Sequence, residues 1–429
     1  MRITKLCFLM CSLFCCISVY GQATPVKKIL FTSFSDQTVK TQEEKIKCLD
    51  GSFLGIPFID DVELKLRNSQ FDINYMRYTL QVKPKGFGET GALYHYNRSL
   101  FDKTDQRKKL LVNEALKERY LLVIDFWEQK NVLQMYDDLI TLYDDKIKVM
   151  ETRTFDTRFD LNDLIIAENE NTRLRAQRFD LQKLISLISD TAEYYLGDTS
   201  FNSFDTAGLV DIETIIGLID KTSFSLDTNN VYLENLRLDF QLARTRYDLE
   251  KAQSRRYIND LSFAYNNGSY LNEINKRNAD KSYNTDKAYS FELGFKIPDL
   301  TLSHLQVNKK EADFITAKED YEQLKRDLAN KMRKDLADIR SLLSQYKFMK
   351  ARENEVDATA SLKKYLQMTG IDPLVLLSTK ESIVKNRITM DRIRFDILRN
   401  YIHVMDITGE LSRQPFVNYL SLSREAIDK

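Results

Sequence analysis

Proline and glycine are scarce in this sequence of 429 residues, which contains 6 prolines and 13 glycines. No proline occurs between Pro84 and Pro298. Because a proline inside a helix costs about 3 kcal/mol, so long a stretch without one leaves room for very long helices. A chain of this length ordinarily forms two or three globular domains, whereas this composition favours a less globular organisation.

Net charge and long apolar runs are lacking as well. The 63 basic residues balance the 63 acidic residues, so the sequence gives no reason to expect a nucleic-acid partner held by phosphate attraction. Beyond the N-terminus, no apolar run reaches the roughly 20 residues of a transmembrane helix. If the protein lies in a membrane, it must therefore do so through strands.

Motifs of catalytic and cofactor sites are also missing. The sequence has no glycine-rich phosphate loop, no H-E-x-x-H and, beyond its first 21 residues, no C-x-x-C. The three histidines, His95, His304 and His403, are far apart and are predicted to be structural or surface residues rather than a metal site. Trp127 is predicted to pack within a long helix. We therefore predict no enzyme, no cofactor and no metal.

The N-terminus has the features of a secretory signal peptide. Arg2 and Lys5 precede a mostly apolar stretch of about 14 residues that ends at Val19. This stretch is too short to span a bilayer as a helix. Cleavage is predicted after Gly21.

Most of the cysteines would be removed with the predicted signal peptide. Four of the five cysteines lie within it, namely Cys7, Cys11, Cys15 and Cys16. The predicted mature chain keeps Cys48 alone, so it has no internal disulfide framework. Lipidation of Cys16 is an alternative, although the bulky residues before it fit a lipidation motif poorly.

An internal duplication is the strongest organisational signal. A strand closed by proline, a turn between helices and an Arg-Phe-Asp triplet recur in the same order, at offsets of 212 to 216 residues. In the first copy they are Tyr78–Pro84, Phe159–Ile165 and Arg178–Asp180. In the second they are Phe291–Pro298, Ile371–Leu377 and Arg394–Asp396. The sequence predicts two copies of a strand pair, a long helix, a turn and a returning helix.

The duplication sets the predicted boundaries. The signal peptide is followed by an N-terminal segment, the first repeat, a connecting segment, the second repeat and a C-terminal tail. In that order they cover residues 1–21, 22–60, 61–200, 201–228, 229–412 and 413–429.

The predicted long helices have coiled-coil spacing. Apolar residues step alternately by three and four in both copies: Leu133, Tyr136, Ile140, Tyr143, Ile147 and Met150, then Met332, Leu336, Ile339, Leu343 and Tyr346. This period near 3.5 predicts a left-handed supercoil. Helices over residues 104–152 and 303–366 would be roughly 75 and 95 Å long at 1.5 Å per residue. A solvated coiled-coil spacer would show the same spacing.

Four segments alternate with the period of two that is typical of strands. They are Val62–Leu66, Tyr78–Pro84, Asp260–Tyr270 and a strand whose apolar positions are Tyr289, Phe291, Leu293, Phe295 and Ile297. One face is apolar and aromatic, and the other is charged or small. This pattern suits a barrel with lipid outside and water inside, and these five residues are predicted to face lipid. A half-buried soluble sheet would show the same alternation.

Four strands cannot close a barrel, and an open edge in lipid leaves backbone groups unpaired. The chain is therefore predicted to form one barrel together with other copies of itself, and three copies would give twelve strands. Tyrosines near the strands could form interfacial belts, and the candidates are Tyr94, Tyr96, Tyr265 and Tyr270.

Residues at the two predicted turns carry the only local functional prediction. They are Arg153, Asp156, Arg158, Asp160, Gly370 and Asp372. In one interpretation the three aspartates surround the bore of an oligomer and gate it by pairing with the two arginines. In the other, the aspartates cap helix N-termini. Gly370 is predicted to supply the positive φ that ends the outward helix.

The chain resembles the TolC-like outer-membrane efflux protein family in the order of its elements. After a signal peptide, the order strand, proline, long helix, turn and returning helix occurs twice. The second copy resembles it most, through Tyr289–Leu328 and Met368–Leu411, and the resemblance covers about residues 60 to 412. It implies a trimer with a β-barrel in the outer membrane, an α-helical barrel across the periplasm, and docking to a periplasmic adaptor and an inner-membrane pump.

One departure from the family concerns the helix that usually precedes each strand pair. The second copy has it at about Val231–Tyr257, whereas the first shows only a fragment at Gln42–Cys48.

The predicted fold class is mainly α with membrane β-strands, in a duplicated repeat that builds an oligomeric β-barrel and an α-helical barrel. The predicted function is that of an outer-membrane channel protomer of a tripartite efflux or secretion system. The alternative is a periplasmic coiled-coil scaffold or adaptor without a channel.

Overall fold

A computed structural model describes most of the chain. The described residues are 23–50, 58–68, 76–155, 159–198, 201–206, 208–221, 230–267, 287–295, 302–355, 372–421 and 424–427. The predicted signal peptide lies outside them.

Both copies of the predicted repeat are present. The first consists of α2 (Gln37–Asp50), β2 (Ile59–Asn68), β3 (Met76–Pro84), α3 (Glu89–Thr152) and α4 (Leu161–Leu196). The second consists of α6 (Val231–Ser254), β5 (Ile258–Asn267), β6 (Lys287–Phe295), α7 (Leu302–Glu355) and α8 (Pro373–Thr408). The other described elements are β1 (Thr24–Pro25), α1 (Val26–Phe31), β4 (Phe204–Asp205), α5 (Ile212–Lys221) and two short 3-10 helices, Thr32–Ser35 and Glu410–Ser412.

The long helices begin where strands end. Helix α3 has 64 residues and begins 15 residues before its predicted start, which makes it roughly 96 Å long at 1.5 Å per residue. Helix α7 begins within a residue of its predicted start and has 54 described residues. The returning helices α4 and α8 each end at a glycine with positive φ, Gly197 and Gly409. These glycines are 212 residues apart, so they extend the duplication.

The prediction that the first copy lacks its leading helix is wrong. Helix α2 has 14 residues, about twice the predicted fragment. Its start is fixed by Asp36, whose carboxylate accepts a hydrogen bond of 3.1 Å from the backbone N–H of Thr38. The helix is rich in lysine, glutamate and glutamine, with few apolar residues, so its period of 3.6 is hard to detect in the sequence.

The chain forms two compact units that cut across the two repeats. Unit 1 contains Met1–Val39, Leu110–Asn230 and Asp327–Lys429. Unit 2 contains Lys40–Lys109 and Val231–Arg326. Each repeat contributes to both units because the boundaries fall within or beside its helices.

The core of unit 1 is built around segments that lie outside the repeats. Strand β1 pairs in parallel with β4. Leu30, Phe204 and Leu420 are buried in one cluster with α3 and α8 residues. The N-terminal segment, the connecting segment and the C-terminal tail therefore fold together. Trp127 packs edge-on against Phe395 in the same region, with ring centroids 5.1 Å apart.

The predicted heptad seam is buried in part and half-buried in the rest. Ile140, Tyr143 and Met150 of α3 form a second cluster in unit 1 with residues of α4 and with Ile388 of α8. In α7, Ile339 and its heptad neighbours join the larger core of unit 1. The apolar period of the sequence thus marks the contacts that hold these helices side by side.

Candidate membrane-facing sheet and helix-turn pair

Unit 2 contains a four-stranded antiparallel sheet with the order β2-β3-β5-β6. Each repeat supplies one hairpin, and β3 of the first pairs with β5 of the second. Strands β2 and β6 form the two edges.

The register aligns the apolar positions into three rows across all four strands. The first row is Val62, Val82, Leu261 and Leu293, the second is Leu64, Leu80, Phe263 and Phe291, and the third is Leu66, Tyr78, Tyr265 and Tyr289. Leu64 is 66 % exposed, Phe291 68 % and Phe295 71 %. A continuous exposed apolar face of this kind is typical of a surface that contacts lipid or another protein. Of the predicted lipid-facing residues, Ile297 lies outside the described residues.

The third row forms a band of tyrosines. The ring centroids of Tyr78 and Tyr265 are 6.3 Å apart, and those of Tyr265 and Tyr289 are 5.2 Å apart. The band includes Tyr265, one of the candidates for an interfacial belt, together with two tyrosines from neighbouring strands. Tyr94 and Tyr96 lie on α3 rather than on a strand, and Tyr270 lies outside the described residues.

The opposite face of the sheet is polar. Lys83 forms ion pairs of 3.0 Å with Asp61 and 2.6 Å with Glu63. The Gln81 side chain donates a hydrogen bond of 2.9 Å to Asp260. The sheet thus presents a charged, hydrogen-bonded surface on one side and hydrocarbon on the other.

A buried ion pair fixes the junction between strands and helices. Glu89, at the start of α3, is 2 % exposed. Arg256, just before β5, donates hydrogen bonds of 2.6 and 3.2 Å to its two carboxylate oxygens and one of 2.7 Å to Asp60. The backbone N–H of Gly86 donates to Glu89 as well, at 2.6 Å. This network ties β2, the end of β3 and the start of β5 to one helix.

In unit 1, the two helix turns contain a paired arginine and aspartate. Arg153, at the end of α3, donates two hydrogen bonds of 2.7 Å to the two oxygens of Asp372. The same carboxylate accepts from the backbone N–H of Leu374 at 2.9 Å and so caps α8. The hydrogen bonds from Arg153, and then that from Leu374, lower the pKa of the Asp372 carboxyl.

The other predicted turn residues are only partly described. Asp160 caps α4 by accepting a hydrogen bond of 2.9 Å from the backbone N–H of Asn162. Asp156, Arg158 and Gly370 lie outside the described residues. The structure thus brings together Arg153 and Asp372 from the predicted set.

A second tie between α3 and α8 has no signal in the sequence. Tyr143 donates a hydrogen bond of 2.6 Å to Glu381, and Lys146 forms an ion pair of 3.3 Å with the same carboxylate. The heptad pattern predicts Tyr143 only as an apolar contact, because the pattern does not show which polar group its hydroxyl reaches.

Helix α4 carries apolar side chains on two sides. Leu164, Ala167 and Leu174 are buried in unit 1. At 3.6 residues per turn, a second set falls on the opposite side and is exposed. This set is Leu161, Ile165, Ile166, Phe179, Leu184, Leu187 and Tyr194. Among the residues that the structure describes, this second side of α4 is left exposed in the single chain.

Within the described part of the chain, no helix is long and apolar enough to cross a membrane. The same residues contain no cluster of three or more histidine, cysteine or acidic side chains placed to hold a metal ion. The three histidines lie on α3, α7 and α8.

No protein-family model matches the sequence, and no curated protein matches it. Solved structures do match, at low sequence identity. The outer membrane protein VceC of Vibrio cholerae is 10% identical with a TM-score of 0.65, over 90% of this chain and 96% of its own. The outer membrane channel MtrE of Neisseria gonorrhoeae, solved in its open state, is 10% identical with a TM-score of 0.66, over 90% of this chain and 88% of its own.

A third match is CusC, whose structures concern folding and transmembrane channel formation. It is 12% identical with a TM-score of 0.65, over 91% of this chain and 95% of its own. These matches confirm the predicted fold class, mainly α with a small set of strands, and they extend over nearly the whole chain. The chain therefore has the fold of outer-membrane channels.

Proposed function

Because the chain has this fold, we propose that it is an outer-membrane channel protomer of a tripartite efflux or secretion system. It would pass solutes or polypeptides across the periplasm and the outer membrane, and it would carry no catalysis of its own. The observation that carries the proposal is the sheet of unit 2, with hydrocarbon exposed on one face and charges on the other.

The dimensions of the apolar face support a position in a bilayer. Its positions on β6 run from Tyr289 to Phe295, which is roughly 20 Å of strand at 3.4 Å per residue. The apolar band of outer-membrane barrels is about 25 Å tall, with aromatic girdles at its borders. The tyrosine row at one end of the face fits such a girdle. A periplasmic scaffold would leave these side chains in water, so the face disfavours that alternative.

The edges of the sheet support a homo-oligomer. In lipid, the unpaired N–H and C=O groups of β2 and β6 would each cost several kcal/mol. Pairing β6 of one copy with β2 of the next removes both edges, and three copies close a ring of twelve strands. The exposed apolar side of α4 gives a second surface on which neighbouring copies would pack.

Membrane fractionation tests the proposal directly. Expressed in a Gram-negative host, the protein is expected to sediment with outer membranes in a sucrose gradient. Detergent is expected to release it as a particle with the mass of three chains, measured by light scattering. Recovery as a soluble periplasmic monomer would contradict the proposal and favour the scaffold.

The turn residues are proposed to restrain the periplasmic end of the channel, where an adaptor and an inner-membrane pump would dock. Arg153 ties the end of α3 to the start of α8 through Asp372. Opening requires the helix ends to separate, and this pair resists that movement. Because the pair is partly exposed, its contribution is about 0–1 kcal/mol per copy, and only repetition in the oligomer makes it effective.

Removing the carboxylates is expected to favour the open channel. Asp160→Asn with Asp372→Asn should raise single-channel open time in planar bilayers at low salt, and the increase should shrink at high salt because screening weakens the wild-type pair. Asp145→Asn, an exposed acid elsewhere on α3, is the matched control and should leave gating unchanged. Unchanged gating with a lower melting temperature would show that the two residues only cap their helices.

The same pair predicts little response to mild acid. The folded protein lowers the pKa of Asp372. The stability that the ionised Asp372 carboxylate adds through its pair with Arg153 is therefore complete above the ordinary aspartate pKa of about 3.9. It is lost as the pH falls through the lower pKa of the folded protein. Gating between pH 5 and 8 is therefore expected to be independent of this carboxylate.

A further inference from the structure

Charges on the polar face of the sheet are segregated along the strands. The two rows next to the helices hold four carboxylates and one ammonium, a net charge of −3, from Asp61, Glu63, Lys83, Asp260 and Glu292. The two rows next to the hairpin turns hold three cations and no acid, a net charge of +3, from Lys65, Arg67 and Arg77. The face is therefore negative at one end and positive at the other.

The outermost described row places two arginines directly opposite each other. Arg67 pairs with Arg77, and the row continues with Asn266 and Ala288, which carry no charge. Like charges directly opposite on neighbouring strands destabilise a sheet. The Nε atom of Arg77 is buried and has no hydrogen-bond acceptor in the described structure.

The other cations of this face are neutralised. Lys65 forms an ion pair of 2.9 Å with Glu63, and Lys83 contacts Glu63 and Asp61. The two arginines thus differ from their neighbours, because no described carboxylate lies in their row. An anion from outside the chain would satisfy both guanidinium groups.

We infer that this arginine pair is an anion-binding site at the hairpin end of the channel, an inference that rests on the proposed function. In a trimer, the polar face lines the bore, and three copies bring six guanidinium groups into one ring. Guanidinium groups bind phosphate and carboxylate through two parallel hydrogen bonds. The ligand class is a polyvalent anion with several such groups, which a ring of cations would attract from solution.

Block of the ion current by inositol hexakisphosphate tests the inference. Added on the hairpin side of channels in a planar bilayer, this polyanion is expected to reduce the conductance, more strongly at 0.1 M than at 1 M salt. The double variant Arg67→Gln with Arg77→Gln is expected to raise the half-blocking concentration at least tenfold. The half-blocking concentration of the variant Arg67→Lys with Arg77→Lys should lie between those of the wild type and the double glutamine variant. Lysine keeps the positive charge but cannot form the two parallel hydrogen bonds of a guanidinium group.

Lys83→Gln is the matched control, since it removes a cation from the same face at the negative end. It should leave the block as in the wild type. A conducting wild-type channel that is not blocked, or equal block in the double glutamine variant, overturns the inference while leaving the channel intact. Absence of any conductance overturns the proposed function and the inference together. If the double variant does not insert, the single variant Arg67→Gln serves in its place, with a smaller loss of block expected.

Discussion

Replacing Phe291 by arginine is expected to abolish accumulation of the assembled protein in the outer membrane. Phe291 lies in the middle row of the apolar face and is 68 % exposed in the single chain. An arginine on the lipid face of a barrel near the bilayer midplane costs about 2–4 kcal/mol. A trimer carries this cost three times, so the loss should be visible in the amount of oligomer recovered from outer membranes.

Ser290→Arg is the matched control for this experiment. It introduces the same side chain one residue away, where alternation directs it to the polar face. Recovery of the oligomer is expected to stay near the wild-type level. Equal loss from both variants would contradict the assignment of one face to lipid and the other to water.

Replacing Glu89 by alanine is expected to destabilise the folded protein more than any exposed acid on the same helix. The change leaves Arg256 without its closest partner, and the arginine side chain is only 22% exposed. It also removes the acceptor of the Gly86 N–H. Breaking a buried ion pair from one side costs roughly 3–5 kcal/mol. Asp60 still pairs with Arg256, so a value of about 3 kcal/mol is expected.

Thermal unfolding of the detergent-solubilised protein measures this effect. Glu118→Ala is the control, because Glu118 lies on the same helix with a side chain that is 63% exposed. It should unfold near the wild-type temperature. Changing Glu89 and Arg256 together to alanine should cost less than the sum of the two single changes, since neither member of this pair is then left as a charge without the other. Additive losses would show that the two side chains act independently.

The elements with a strong sequence period were predictable, because one environment repeats along each of them. The strand at Tyr289 alternates between the exposed apolar face and the polar face of the sheet, and the seam from Tyr136 to Met150 meets the same neighbouring helices turn after turn. The proximity of Arg153 and Asp372 could be expected as well, since both lie at helix turns. Whether such a pair gates a channel depends on an assembly, which one sequence does not contain.

The core of unit 1 could not be predicted from periodicity. Strands β1 and β4 have two residues each and α1 has six, which is too short for a period to be recognised. Their positions depend on contacts between the N-terminus, the connecting segment and the tail. Such contacts join residues hundreds of positions apart, so tertiary packing rather than local preference decides them.

Two features of the sheet depend on register. Arg67 faces Arg77 only because β2 and β3 pair as they do, and a shift of one residue would turn each side chain to the other face. Arg256 meets Glu89 across 167 positions of sequence. Alternation in the sequence predicts which residues share a face, and the pairing register then decides which of them become neighbours.

The strand order β2-β3-β5-β6 has a further consequence for the proposed ring. Within one chain, the second strand of the first repeat pairs with the first strand of the second repeat. Between chains, β6 would meet β2, which again joins a second strand to a first strand. In the proposed ring, the seam inside each subunit and the seam between subunits would therefore be equivalent, and the ring would have approximate sixfold symmetry. A polypeptide of half this length, with a single repeat, would close the same ring as a hexamer.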